Sequence, residues 1–545
     1  MSTTMNTTPQ PIAIIGAGPV GMMTALGLAW YGIPSVIYED DQTLSLDTKA
    51  GTILTRTVEI LNRYGAADEV LAAALRVDEI GEIDRQTQQA TFPVFLGELA
   101  DETRYPFVIN LPQHHLEPIL AQALQKTGLV QIHMGHRLQG FTDLGDEVEL
   151  KIRRVGDQSP DGLLTTRTPF LLACDGGRST VRDLMGVKVD GHSLPVKYSL
   201  VDLQVDLDVA NPRDYPYLSY FSDPKEWMVL VRHPHCWRFL FPIKEDAPDP
   251  TPEALKAKAL SFIGEVDAVK VINKVVYRVH HRVASQWRSN RVFLMGDAAH
   301  LITPMWALGL NTGALDASNL PWRLAWFVRG WAQASILDGY EREQKPLAIN
   351  GSGEMAEAAR QSMEKRGNAG SSSVQAMSQN NWQNAYTRSM LGVRLDVQGG
   401  ENWSMVARER QPAAQPGDRL PDWLVHTSAG VQQRLFDVCA GKFTALYFTD
   451  ARRKANIPLN PSPALQHFQV SRFDAPHDSG LREHSLLDPG NALMLRLKVP
   501  ANTLILVRPD EHIATIVPMN GEANQAAKLY EQITGCAAPA LDNTP

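Results

Sequence analysis

Two glycine-centred turns carry the residue types in this chain best suited to chemistry. Gly16, Gly18 and Gly21 stand in the spacing Gly-x-Gly-x-x-Gly, and Glu39 follows 18 residues after Gly21. Glycine at the first position permits a tight turn. At the second it lets backbone approach a pyrophosphate, and at the third it lets a helix pack on a strand. A carboxylate at Glu39 can accept bonds from ribose hydroxyls, and it favours an unphosphorylated ribose, as in FAD or NAD. The second turn, Val292-Phe-Leu-Met-Gly-Asp-Ala-Ala-His300, leads apolar residues into Gly296-Asp297 and runs on through Pro304 to Gly309-Leu-Asn-Thr-Gly313. Its aspartate can hold a hydroxyl or a metal on phosphate. A Gly/Pro-punctuated loop before a helix, expected from Ala314, turns N–H groups toward electron-rich atoms. Between these turns lies Asp175-Gly-Gly-Arg-Ser-Thr-Val-Arg182. A capped turn accounts for Asp175, Gly176 and Ser179, but leaves Arg182 as a cation near the turn.

The flanking residues form the elements such turns need. Ile12–Ile15 is unbroken apolar and reads as a buried parallel strand; Met22–Trp30 reads as a small-residue helix and Ser35–Tyr38 as the second strand. Strand, turn, helix, strand and acid in register make dinucleotide binding the reading of this segment. A Gly/Thr-rich loop from Lys49 precedes helical spacing at Val58 and Leu61, and Leu111–Leu120 opens an amphipathic helix whose first turn holds Gln113 and His114. For His114 a solvated helix start is the expectation. From Lys197 to Val283 apolar and polar residues alternate, which indicates an antiparallel sheet with one covered face, a natural wall for a substrate pocket. Tyr215, Tyr217, Tyr220 and Phe221 would line that pocket or fill the sheet's core. Asn350–Gln415, rich in Gly, Ser, Gln and Asn, reads as a partly helical domain junction. Strand-like runs after Gly417 and a closing helix suit a small separate α/β domain.

A length of 545 residues implies two to four domains. A net charge of −8 leaves no basic excess to neutralise phosphates, so a nucleic-acid partner is not expected. No apolar run reaches the roughly 18 residues that would cross a bilayer. The first ten residues read as a short disordered tail and not a signal peptide. Cys174, Cys236, Cys439 and Cys536 are far apart and form no CxxC pair. A reduced, cytoplasmic protein with no metal site is expected.

The three motifs in this order resemble the single-component FAD-dependent aromatic hydroxylases. Gly309-Leu-Asn-Thr-Gly313, Asp316-Ala-Ser-Asn-Leu-Pro-Trp-Arg-Leu324 and Val507-Arg-Pro-Asp510 bring the resemblance closest to the larger members acting on phenols and hydroxyphenylpropionate. The resemblance implies an α/β chain: a Rossmann-like FAD-binding domain over 11–190, returning over 285–350; an inserted antiparallel β-sheet substrate domain over 191–284; a connection over 351–415; and a thioredoxin-like domain over 416–545. Gly16, Gly18 and Gly21 would line the FAD pyrophosphate and Glu39 the adenosine ribose. Gln113 would reach the flavin side, Asp175 and Arg182 would serve FAD and nicotinamide contacts, and Gly296-Asp297 the ribityl-pyrophosphate region. Pro304 would sit beside the isoalloxazine, with Gly309, Leu310 and Asn311 offering N–H groups to its N1–C2=O edge.

The implied reaction consumes NADH or NADPH, O₂ and a small aromatic substrate, with oxygen carried as a flavin C4a-hydroperoxide. A base or acceptor near the phenol oxygen should help. Tyr220, His233, His235 and Tyr217 are candidates, and Arg238 could meet an acidic substrate or pair with a sheet carboxylate. Baeyer–Villiger, epoxidation or decarboxylative chemistry on the same scaffold is the alternative, and a non-catalytic flavin-binding scaffold a more distant one. Two departures stand out. Lys49 replaces a usual arginine, keeping the charge without the bidentate grip. Met305-Trp-Ala-Leu-Gly309 replaces a glycine-rich run, so Trp306 brings a bulky ring to where substrate and flavin would meet. The C-terminal domain, lacking CxxC, should be structural or an oligomer contact, compatible with a homodimer.

Overall fold

The computed structural model describes residues 10–46, 51–89, 94–207, 215–222, 226–264, 266–303, 305–354, 356–357, 394–397, 413–450, 455–458, 462–472 and 479–541. Lys49, Pro304, the N-terminal tail and most of the 351–415 connection lie outside them. The chain divides into two compact units: residues up to 96, 107–317 and 348–383 in one, and 97–106, 318–347 and 384 onward in the other.

The first unit contains a six-stranded sheet in the order 288–289, 292–294, 171–173, 12–15, 35–38, 130–133, parallel except at the 288–289 edge. Ile12–Ile15 is buried along its whole length, as expected of a strand covered on both faces. The helix Pro19–Trp30 opens with proline at its first turn, where the missing N–H is no loss. From strand 12–15 the sheet extends to 35–38 on one side and 171–173 on the other. Such a reversal opens a crevice at the carboxyl ends of the strands.

Against this stands an eight-stranded sheet in the order 300–301, 270–284, 189–204, 236–244, 228–233, 218–222, 79–84, 94–95, antiparallel except where 218–222 meets 79–84. Trp237, Phe239, Phe241 and Phe221 turn one face onto Phe262 of the helix Pro252–Ile263. Thr251 caps that helix, its hydroxyl accepting the Ala254 N–H at 3.2 Å. Period-two alternation then assigns Arg238 and its cross-strand partners Asp202 and Val231 to the other face, together with Val229 and its partner Tyr220, and His233.

The helix expected from Ala314 begins at Leu308 and runs to Val328. Gly313 does not make a loop here. A Cβ on it would lie 2.5 Å from Val20 Cγ2, so the glycine lets the helix approach the N-terminal turn closely.

The second unit carries a seven-stranded mixed sheet, order 432–434, 424–427, 485–487, 465–471, 443–448, 503–507, 513–518. Its central strand Phe443–Phe448 is wholly buried, parallel to 465–471 and antiparallel to 503–507. The helix Gln525–Thr534 is the last described element. All four cysteines are free thiols.

Candidate active site

The register of the parallel sheet brings the motif turns side by side. Ile15 pairs with both Tyr38 and Ala173, and Ala173 pairs with Leu294. The chain therefore leaves neighbouring strands as Gly16, Glu39, Asp175 and Gly296, all at one end. Gly16 has φ +105°, and a Cβ on it would lie 2.3 Å from the Cys174 carbonyl oxygen. On Gly21 a Cβ would lie 2.1 Å from the Gly16 carbonyl oxygen, whereas on Gly18 it would meet nothing within 4 Å among the described residues. Two glycines thus close the turn and the third leaves open space beside the N-terminus of helix 19–30, the cradle a pyrophosphate needs. The Glu39 carboxylate accepts the Ala17 N–H at 2.7 Å and the Asp41 N–H at 2.9 Å. A carboxylate has about four lone-pair sites, so capacity remains for ribose hydroxyls.

Asp175 accepts the Val181 N–H at 3.1 Å through Oδ2, while Oδ1 is buried without a partner among the described residues. Burial raises its pKa. Arg182 staples this turn to the other one, donating to the Ala298 carbonyl at 3.1 Å and the Gly177 carbonyl at 2.9 Å. Gly296 is left-handed, φ +56°, and its N–H reaches Asp316 Oδ2 at 2.8 Å. The same oxygen lies 2.8 Å from His300 Nε2, and His300 stacks on Trp287. Asp316 and His300 are buried and hold the Gly296 turn from behind, which leaves Asp297 exposed at its tip. Sequence reasoning did not foresee that pairing. Its sign in the sequence is an aspartate in a helix segment that also holds Ala314, Ala317 and Leu320, all buried.

Gly309, Leu310 and Asn311 lie in the first turn of helix 308–328, where backbone N–H groups lack intrahelical partners and the dipole is positive. The Asn311 side chain is fully engaged. It accepts from the Leu54 N–H at 2.9 Å and Thr57 Oγ1 at 2.7 Å, and donates to the Thr52 and Ala307 carbonyls. It therefore fastens strand Thr52–Ile53 and the start of helix Thr55–Arg63 to helix 308–328, and only its backbone is available to a flavin edge. Gln113 opens the helix Gln113–Thr127 and donates to Glu117 at 2.7 Å.

Trp306 and Ala307 both have left-handed backbones, φ +59° and +58°. For non-glycine residues this costs about 1–2 kcal/mol each, at the place where the resemblance implies a glycine-rich run. Trp306→Gly is expected to leave FAD affinity unchanged and thermal stability undiminished while altering substrate range or coupling. A substrate panel with parallel FAD titration checks this; loss of FAD with unchanged substrate preference would refute it.

On the facing sheet, His233 is 1% exposed and neither ring nitrogen has a partner among the described residues. Burial first, then the positive charge of Arg238, holds its pKa well below the ordinary value. A Cβ on Gly51 would lie 2.4 Å from His233 Cε1 and 3.3 Å from Arg238 Nη1, so glycine at 51 lets the loop leading to Leu54 close over both. Arg238 is held by Asp202 through two hydrogen bonds, 2.8 and 3.1 Å, which makes it a sheet ion pair. His114 is half-buried against His115, ring centroids 4.1 Å apart. The solvated helix start expected for it is corrected: its Nδ1 is buried without a partner among the described residues, and Arg238 and Asp202 lie close enough for their charges to act on the ring. His235 is exposed and meets His115 edge-on at 5.8 Å. Tyr220 is buried in its strand and Tyr217 packs edge-on to Trp237 at 5.9 Å. Among the described residues no group of three His, Cys, Asp or Glu is placed to hold a metal, and no helix is long and apolar enough to cross a membrane.

Known proteins are similar to this chain in sequence or in fold. The 3-(3-hydroxy-phenyl)propionate/3-hydroxycinnamic acid hydroxylase of Mycolicibacterium smegmatis is 31% identical over 346 residues, 62% of this chain and 58% of the relative. The match thus spans less than two thirds of that relative's length. The para-nitrophenol 4-monooxygenase of Pseudomonas sp. strain WBC-3 is 28% identical over 351 residues, 62% of this chain and 83% of that one. Aklavinone-11 hydroxylase, solved with FAD and aklavinone, shares the fold with a TM-score of 0.79 at 23% identity, covering 97% of this chain and all of the other. The family model described as "FAD binding domain" matches residues 10–350, a span holding every turn assembled above. That match covers more than half of the chain, which therefore belongs to this FAD-binding family.

Proposed function

We propose that this protein is an NAD(P)H- and O₂-dependent flavoprotein monooxygenase that hydroxylates a phenolic or related aromatic substrate. Bound FAD supplies the two-electron chemistry and the activation of O₂. Gly18, the first turn of helix 308–328 and the Gly296 turn hold and orient it, and the facing sheet walls the substrate. The observation that carries the phenolic reading is His233: a buried imidazole with both nitrogens unpartnered among the described residues. A buried polar group without a partner is costly, and a phenol O–H relieves that cost. Depressed basicity keeps the ring neutral, so one nitrogen can accept the phenol proton's hydrogen bond. As that proton moves toward nitrogen, the ring becomes a stronger nucleophile toward oxygen. Arg238, paired with Asp202, biases His233 toward its neutral form and is not the base.

The test is a panel of phenols scored for stimulated NADH or NADPH oxidation and for a product one oxygen heavier and still aromatic. His233→Ala should lower kcat/KM by about 10²–10⁴-fold without weakening FAD binding. Because the His233 pKa is lowered, the acid limb of the wild-type profile should fall below about 6.5. Turnover by the variant at the wild-type rate, or a product with a ring-inserted oxygen, would overturn the proposal.

A further inference from the structure

The second unit holds a cleft of about 530 Å³ that no step above uses. We propose that it binds a small organic anion with a planar apolar body, such as an aromatic carboxylate. A cleft of this volume suits such a ligand. Its charged lining is of one sign: Arg329 and Lys442 face it, and no described lining residue is a carboxylate. In a chain of net charge −8 this is a local reversal of sign. The Lys442 ammonium makes no hydrogen bond or ion pair among the described residues.

The lysine is presented by a built turn. Ala440 and Gly441 are left-handed, φ +44° and +70°, and the Gln466 amide donates to the Val438 and Cys439 carbonyls at 2.7 and 2.9 Å. Trp331 supplies a flat wall. It is fixed edge-on against Trp326, and the Arg329 guanidinium lies 4.7 Å from its ring centroid. Pro458, Pro463 and Leu541 add apolar surface. His467 and His484 complete the floor, and both are held through Nδ1: His467 lies 3.2 Å from the Tyr447 hydroxyl and His484 3.0 Å from the His467 carbonyl. Flat apolar walls beside two cations recognise an aromatic body carrying a negative head group, through stacking and charge-assisted hydrogen bonds.

The test uses full-length, FAD-loaded protein with 1-naphthoate and its neutral analogue 1-naphthamide, measured by equilibrium dialysis. Naphthoate should bind saturably and at least tenfold more tightly than the amide. The double variant Arg329→Ala/Lys442→Ala should lose at least tenfold in naphthoate affinity, with its flavin spectrum and melting temperature unchanged. Lys442→Arg should retain binding. Equal affinity for naphthoate and naphthamide, or a double variant that binds naphthoate as the wild type does, overturns the proposal.

Discussion

Replacing Glu343 by glutamine should lower the melting temperature of the full-length protein by about 10 °C at neutral pH, with the difference shrinking as the solution is acidified. Glu343 is the hub of a buried ionic network in the second unit. Arg508 Nη1 lies 2.8 Å and Arg323 Nη2 2.7 Å from its Oε1, and Asn319 donates to Oε2 at 2.9 Å. Arg508 is also paired with Asp510 through two nitrogens, and Asp510 accepts the Trp322 indole N–H at 3.2 Å. Two guanidinium and two carboxylate groups, none more than 3% exposed, thus balance each other. Glutamine keeps the shape and removes one charge, leaving two buried cations facing one anion. Such a loss costs about 3–5 kcal/mol, and each kcal/mol moves the transition by about 2–4 °C at this size. Burial alone would raise the Glu343 pKa, but the charges of Arg323 and Arg508 outweigh it and hold the carboxyl at about 2. A depressed carboxylate contributes stability above its unfolded pKa of about 4.3, and that contribution fades as pH falls from there toward 2. Thermal melts of both proteins at pH 7 and pH 3 measure it. A glutamine variant within 2 °C of wild type at pH 7, allowing about 1 kcal/mol, would show that the network contributes little.

That network also shows what a sequence reveals and what it conceals. Trp322, Arg323, Arg508 and Asp510 were conspicuous as parts of motifs, yet nothing in their spacing told that they meet each other. Contacts between residues more than 180 positions apart, like Trp322 and Asp510, leave no periodicity to read. The cofactor crevice was legible because its requirements are local. Gly16 and Gly21 answer to backbone atoms at a turn, and the strands around them are unbroken apolar runs. Helix 308–328 was placed too late because glycine signals a loop and close packing with the same letter, and only Val20 beside Gly313 decides between them. Arg238 illustrates a further limit. Its alternation fixed its face of the sheet, but the choice between a substrate anion and Asp202 depended on strand register. His233 is one name among several until its two nitrogens, unpartnered among the described residues, and the closeness of Gly51 set it apart. Trp306 could be seen as a departure from a glycine-rich run, whereas its left-handed backbone, the physical reason glycine suits that place, could not.

The three glycines of the N-terminal turn should separate cofactor binding from folding. Gly18→Ala adds a methyl group that meets nothing within 4 Å among the described residues, on a backbone whose φ of −71° suits any residue. The apo-protein should therefore melt as the wild type does. The methyl occupies the space where backbone must approach a pyrophosphate, so FAD affinity should fall by tenfold or more, an expected loss of about 1.4 kcal/mol or greater. Gly16→Ala and Gly21→Ala differ in kind. Their Cβ atoms would lie 2.3 Å and 2.1 Å from carbonyl oxygens of Cys174 and Gly16. Those oxygens are backbone and cannot swing away as a side chain can. The Gly16 substitution additionally forces alanine to φ +105°, where a Cβ is strained. Either variant must displace the strand 12–15 turn from the strand 171–173 turn or from helix 19–30, so both should lose FAD and lose thermal stability of the apo-protein together. Apo-protein melts with FAD fluorescence-quenching titrations distinguish the cases. If Gly18→Ala bound FAD as tightly as wild type, the open space beside that helix would not be the pyrophosphate cradle. If Gly16→Ala and Gly21→Ala melted normally, the turn would be looser than its geometry requires.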